Sequence, residues 1–126
     1  MRLVRKALIP SVLFLCSLVG LFAWYFTAHV RGELVAQVDL ARGHHNYLTA
    51  GLPVAWYPRY AQILKGRFGI DTTPVAGCVV SESQSRYIEG YNQVSMEAAK
   101  RRFGRDVFRE SAIEASKNWS QLTRGR

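Results

Sequence analysis

Cysteine is scarce in this chain. Cys16 and Cys78 are the two present among 126 residues, too few for a disulfide scaffold. Ten glycines fall without a period, which excludes a collagen-like chain. Acidic residues are thin, with 9 Asp plus Glu against 17 Lys plus Arg. Charge of either sign is missing from residues 7–30. No catalytic or ligand-binding motif stands out from the residue order, and no Pro-, Gly- or Ser-rich linker divides the part after residue 30. What is there is 48% hydrophobic, too apolar for a disordered solvating chain, and its length suits a single domain.

The uncharged run is dense in Leu, Val, Ile, Phe and Trp. As a helix it extends roughly 36 Å, against a hydrocarbon core of roughly 30 Å, so it can cross a bilayer. Arg2, Arg5 and Lys6 precede it, whereas Arg31 follows and is soon diluted by Glu33 and Asp39. The positive-inside rule then predicts a cytoplasmic N-terminus and an extracytoplasmic remainder, periplasmic in a bacterium. Trp24 and Tyr25 sit near the outgoing end, where amphipathic rings suit the membrane interface. Pro10 falls in the first turn of the run, where a missing donor costs little. A cleaved signal peptide is the competing reading, but its apolar region is typically about 7 to 15 residues and ends on small residues one apart. Cleavage after Ala23, Ala28 or Ala36 would leave Leu21, Phe26 or Leu34 at the upstream small position. Leu13, Phe14 and Leu15 before Cys16 are too bulky for a lipoprotein cleavage site. The expected organisation is a basic cytoplasmic tip (1–6), a transmembrane signal-anchor helix (7–30) and a small extracytoplasmic domain (31–126).

That domain keeps 14 of the Lys and Arg, all 9 Asp and Glu, and ten of the fifteen aromatic residues. This is enough ring surface for one small core. The expected fold class is α+β, with two or three amphipathic helices and a short sheet. Residues 33–50 read ambiguously, with a strand favoured over about 44–49 and the preceding stretch extending the membrane helix. Gly51, Leu52 and Pro53 mark a turn. A helix should open near Pro58 and stop at Gly69, with Tyr57, Ala61, Leu64 and Phe68 inward. Residues 75–80, Val-Ala-Gly-Cys-Val-Val, read as a strand buried on both faces. Ser81 and Gln84 have capping-box spacing, so a helix should start there, with Tyr87, Tyr91, Val94 and Ala98 inward, unless Gly90 and Asn92 split it. Phe103 and Gly104 close it. Asp106 can cap a last helix on which Phe108, Ala112, Ala115, Trp119 and Leu122 recur at helical spacing. Residues 65–71 and 100–106 echo each other as Lys-x-Arg-Phe-Gly-x-Asp, which reads as a duplicated helix stop: cations in the last turn, Phe to pack and Gly to turn left-handed.

Candidate chemistry is sparse. Adjacent His44 and His45 would face opposite sides of a strand, so at most one can join Cys78, and no metal or cofactor is expected. Cys78, inside an apolar segment with Glu82 as its nearest charge, reads as an inert core thiol, because burial and a nearby anion both disfavour the thiolate form a nucleophile needs. Glu82 and Glu89 share a helix face two turns apart, which suits only a wide acid/base pair. Glu82, His45 and Cys78 are the residues a catalytic reading would test. Ser81 and Ser83 at a helix start would serve a small-ligand sensor, although Glu82 opposes an anion there. The strongest surface feature is the basic cluster Lys100, Arg101, Arg102, Arg105 and Arg109. It reads as a solvated face, or as an attraction to anionic headgroups or an acidic partner. Nucleic acid is not expected, since the flanking charges place the domain outside the cytoplasm and aromatic residues do not interleave with the cations. The sequence therefore reads as a membrane-anchored, non-catalytic accessory or interaction module, with lipid and a protein as partners. A tethered small enzyme and a ligand sensor are the alternatives.

Overall fold

A computed structural model describes the backbone of residues 2–125 and the side chains of residues 9–125. Five helices and one two-stranded sheet follow one another as α1 (Arg2–Phe26), α2 (Ala28–Ala41), β1 (Asn46–Ala50), α3 (Tyr57–Ile63), β2 (Asp71–Ala76), α4 (Glu82–Phe103) and α5 (Val107–Arg124). A π-helical turn, Leu64–Phe68, continues α3.

Helix α1 carries the stretch Ile9–Phe26, 18 residues of mean hydropathy 1.9 with none buried against the rest of the protein, long and apolar enough to cross a membrane. The helix breaks at Thr27, inside the uncharged run. The break is slight: the Thr27 and Arg31 amides still donate to the Ala23 and Thr27 carbonyls, both at 2.9 Å. Helix α2 therefore nearly continues α1, as the sequence suggests, but its first residue already belongs to the domain, since Ala28 is fully buried.

Ala28, Gly32 and Ala36 form a buried stripe of small residues along α2, four apart, and α4 lies against it. The approach is close enough that a Cβ on Gly32 would stand 2.1 Å from the Tyr87 carbonyl oxygen, and one on Gly90 would stand 2.1 Å from that of His29. Gly90 therefore does not split the helix; it makes room for its neighbour. The buried positions of α4 are Gly90, Tyr91, Asn92, Ser95 and Ala99: Tyr91 is inward as the sequence suggests, whereas Tyr87, Val94 and Ala98 are half-buried at the edge of that face. Helix α4 runs parallel to α2: Glu82 meets Tyr25, Tyr87 meets Gly32, and Ser95 and Ala99 approach Leu40.

After α2, Gly43 (φ 80°) turns the chain back. Strand β1 then descends alongside α2 toward α1, with Leu48 packed between Ala36 and Tyr91. It covers residues 46–50 rather than 44–49, leaving His44 and His45 in the turn. Strand β2 pairs with it in parallel, Asn46 opposite Asp71 and Ala50 opposite Ala76, with a shift between Thr49 and Ala50. The free edge of β1 is satisfied by a side chain: Asn92 accepts from the Leu48 amide and donates to the Leu48 carbonyl, both at 2.8 Å and buried. One amide thus stands in for a third strand.

The larger core joins α3 to α5. Tyr60, Ile63, Leu64 and Phe68 pack on Ile70, Ala99, Val107, Phe108 and Ala115. Tyr60 and Ile63 complete an inner face that the spacing of Tyr57, Ala61, Leu64 and Phe68 shows only in part. Both echoed helix stops are present, Gly69 at φ 67° and Gly104 at φ 70°. Their phenylalanines meet, with Phe68 edge-on to Phe103 at 5.0 Å between centroids, a geometry worth about 0.5–1.5 kcal/mol beyond burial.

The segment 75–80 departs most from expectation. Strand β2 ends at Ala76, residues 77–80 are irregular, Cys78 is exposed and Val79 is 86% exposed. Its apolarity does not come from burial inside the domain.

Candidate functional site

The capping box at the start of α4 forms as its spacing requires: Ser81 Oγ accepts from the Gln84 amide at 3.2 Å, and Gln84 Oε1 accepts from the Ser81 amide at 3.1 Å. The polar groups that an anion sensor would use at Ser81 are thereby occupied. Glu82, next in line, accepts from the Tyr25 hydroxyl and, at 2.9 Å, from the Arg86 guanidinium. The Tyr25 hydrogen bond first and Arg86 second hold the Glu82 carboxyl below its ordinary range. That is the wrong direction for a general acid. Close by, the Arg31 guanidinium lies 3.6 Å over the Trp24 ring and donates to the Trp24 carbonyl at 2.8 Å. Trp24 and Tyr25 thus mark the junction where α1 and the domain are tied.

The three residues of a catalytic reading are not brought together. Cys78 sits in the β2–α4 loop near that junction, exposed and free, as is Cys16. The core thiol read from the sequence is thus a surface thiol, because the segment carrying it is not a strand. His45 lies at the opposite end of the sheet, where its carbonyl accepts from the Asp71 amide at 2.8 Å. From Asp71 to Cys78, roughly 20 Å of extended chain intervenes. His44 is exposed and His45 half-buried. Among the described residues no group of three His, Cys, Asp or Glu side chains can hold a metal ion.

The basic cluster does gather. Lys100, Arg101 and Arg102 occupy the last turn of α4, where they complement the negative helix end. Arg105 and Arg109 follow across the Gly104 stop, and all five are exposed. Of these five cations only Arg105 has an ion-pair partner among the described residues, Glu110 at 3.1 Å. Arg102 lies 5.1 Å over Phe103, and Arg105 lies 5.9 Å over Phe68. Lys100 and Arg105 also edge an open groove of about 550 Å³ between α4 and the start of α5, floored by Tyr47, Met96 and Phe108. Glu89 faces this groove while Glu82 is held at the Tyr25 junction, so those two carboxylates do not form a pair. Lys100 stands 18 residues beyond Glu82, about 27 Å along the helix axis. The cluster therefore lies at the end of α4 remote from α1.

Sequence reasoning does not reach the role of Asn92, whose residue type suggests a helix break, nor the apolar surface of α5. Ala115 is buried as its spacing suggests, but Trp119 is 44% and Leu122 70% exposed. They border a second groove with Ala55, Trp56 and Arg59. The signal for Asn92 was a lone amide on an otherwise apolar helix face; the α5 stripe outruns the core available to cover it.

No protein-family model, no curated protein and no solved structure matches this chain. The functional reading accordingly rests on the geometry above.

Proposed function

We propose that this is a single-pass membrane protein whose α1 crosses the bilayer with its N-terminus in the cytoplasm. Its domain acts on the far side, the periplasm in a bacterium, as a non-catalytic interaction module. The uncharged stretch Ile9–Phe26, preceded by Arg2, Arg5 and Lys6, supports the anchor and its orientation.

The observation that carries the interaction reading is the position of the basic cluster. A parallel α2 and α4 hold Lys100, Arg101, Arg102, Arg105 and Arg109 about 27 Å up α4 from its junction with the membrane helix. With α4 upright on the bilayer, several Debye lengths of salt solution separate them from its surface, which favours a partner other than the headgroups of the protein's own membrane. This favours an acidic protein surface as the partner of the exposed cations, while the adjoining groove over Tyr47, Met96 and Phe108, edged by Glu89, Glu97 and Asp106 as well as by Lys100 and Arg105, can accept a neutral, apolar side chain from it. Among the described residues, four of the five cations have no carboxylate to give up on binding.

A photo-crosslinking residue in place of Gln93, which lines that groove, tests this in intact membranes. A discrete protein adduct is expected, and it should be lost when Lys100, Arg101 and Arg102 are replaced by Glu. Absence of any adduct, together with recovery of the monomer alone in mild detergent, would contradict the reading. Single replacement of Glu82, His45 or Cys78 by Ala should leave the adduct intact; loss of biological function in a folded variant would instead favour an enzyme.

A further inference from the structure

Both strands run toward the membrane-proximal end of the domain. Leu48 is level with Ala36 and Asn92, and β1 continues from there in the direction of α1, with β2 parallel to it. The loops that leave this end are residues 51–56 and 77–81, joined at their base by the Gly51 amide donating to the Ala76 carbonyl at 3.2 Å. Neither loop contains a charged residue, nor does β2 after Asp71. Leu52 is 77% and Val79 86% exposed, and Val54 and Val75 are exposed too. Beneath them lies a cleft of about 390 Å³ whose lining, including Thr49, Tyr57, Tyr60 and Pro74, has no charged group. Helix α5 reaches the same end: Ala112 lines that cleft, and Trp119 stands across from Trp56. The opposite end of the domain holds the cation cluster.

Two uncharged, apolar loops with four exposed aliphatic side chains between them and β2 are costly in water and favourable against lipid. Arg31, Glu82 and Arg86 beside them are gathered at Trp24 and Tyr25, where charged heads can reach the headgroup level. The location of the loops supplies the lipid. Glu82 is hydrogen-bonded to Tyr25 in the last turn of α1, so the residues just before Glu82 stand beside the outgoing turn of the membrane span. We infer that residues 51–56 and 75–80 form a lipid-contacting surface that seats the domain on the bilayer crossed by α1. This rests on the anchoring reading above. It also gives the Val-Ala-Gly-Cys-Val-Val segment a place to put the apolar surface that the domain leaves uncovered, and it fixes the orientation in which the basic cluster points outward.

The test uses the full chain in phosphatidylcholine and phosphatidylglycerol vesicles, with Cys16→Ser and Cys78→Ser. Single nitroxide labels are placed through Val79→Cys, Leu52→Cys, Leu18→Cys or Arg101→Cys. All four positions are exposed, so labelling leaves the core intact. The Val79 and Leu52 labels should collide with lipid-soluble oxygen several-fold more often, and with a water-soluble nickel chelate several-fold less often, than the Arg101 label. Loop labels as wet as Arg101, with Leu18 in lipid, would overturn this inference alone. A wet Leu18 label would overturn the anchoring reading and this inference with it. Loop labels shielded from both reagents would show a second copy or another protein covering the surface, and would overturn the lipid assignment.

Discussion

Gly32 on α2 and Gly90 on α4 occupy one helix crossing, each at a point where the facing backbone comes too near for any side chain. An added Cβ at either position would meet a carbonyl oxygen at 2.1 Å, well inside van der Waals contact. Because the obstacle is backbone, relief requires moving a whole helix, and α2 carries the connection to α1 while α4 carries the basic cluster.

Gly32→Ala and Gly90→Ala should therefore each destabilise the domain by about 3 kcal/mol, at the upper end of overpacking costs. Gly66→Ala is the control. Its Cβ would meet nothing within 4 Å and its φ is not left-handed, so a change within about 1 kcal/mol is expected. Denaturant unfolding followed by far-UV circular dichroism measures all three. Equal effects at positions 66 and 90 would refute the close crossing.

Asn92 holds both the amide and the carbonyl of Leu48. Removing its side chain strands two buried backbone groups, so Asn92→Ala should cost about 2–4 kcal/mol. The loss should appear locally as well: the Leu48 amide should exchange with deuterium much faster in the variant than in the parent. Unchanged exchange there would mean that β1 has another partner on its free edge.

The Arg67 guanidinium grips Glu114 with two hydrogen bonds, at 2.5 and 2.8 Å, joining the π-helical turn to α5. The hydrogen bond from Arg67 lowers the Glu114 pKa below its ordinary 4.5. A carboxyl depressed on folding contributes stability that is fully present above the unfolded value and is lost as pH falls through the folded one. The domain should therefore lose part of its stability on acidification below about pH 4.5. Arg67→Ala should flatten that part of the profile, read as melting temperature against pH. A profile of the same steepness in the variant would assign the acid sensitivity to other carboxylates.

Local signals in the sequence proved the most legible. Ser81 with Gln84, Asp106 before α5, and the Gly69 and Gly104 stops each act over three or four residues, where spacing alone dictates the hydrogen bond or the turn. Long-range pairing was not legible in the same way. Gly90 and Asn92 look like helix breakers until α2 and β1 are placed beside them, because nothing near either residue shows a facing backbone or a strand edge. Apolarity was read without its phase: residues 75–80 and the end of α5 are apolar, but periodicity does not say whether protein or some other apolar medium covers them. Helical spacing gave the stripe Phe108, Ala112, Ala115, Trp119 and Leu122, while the small core covers only its first half. Residue type alone points to Glu82, His45 and Cys78 as catalytic candidates, and the topology sends His45 to the opposite end of the sheet from the other two.

Retention of the apolar helix in the mature protein is the most direct test of the whole account. Membranes from cells making the protein should be washed at alkaline pH, and peptides from the pellet and the supernatant sequenced by mass spectrometry. The account predicts that the domain stays in the pellet together with peptides from residues 9–30. A domain released into the soluble fraction, with its first residue downstream of Phe26, would contradict it.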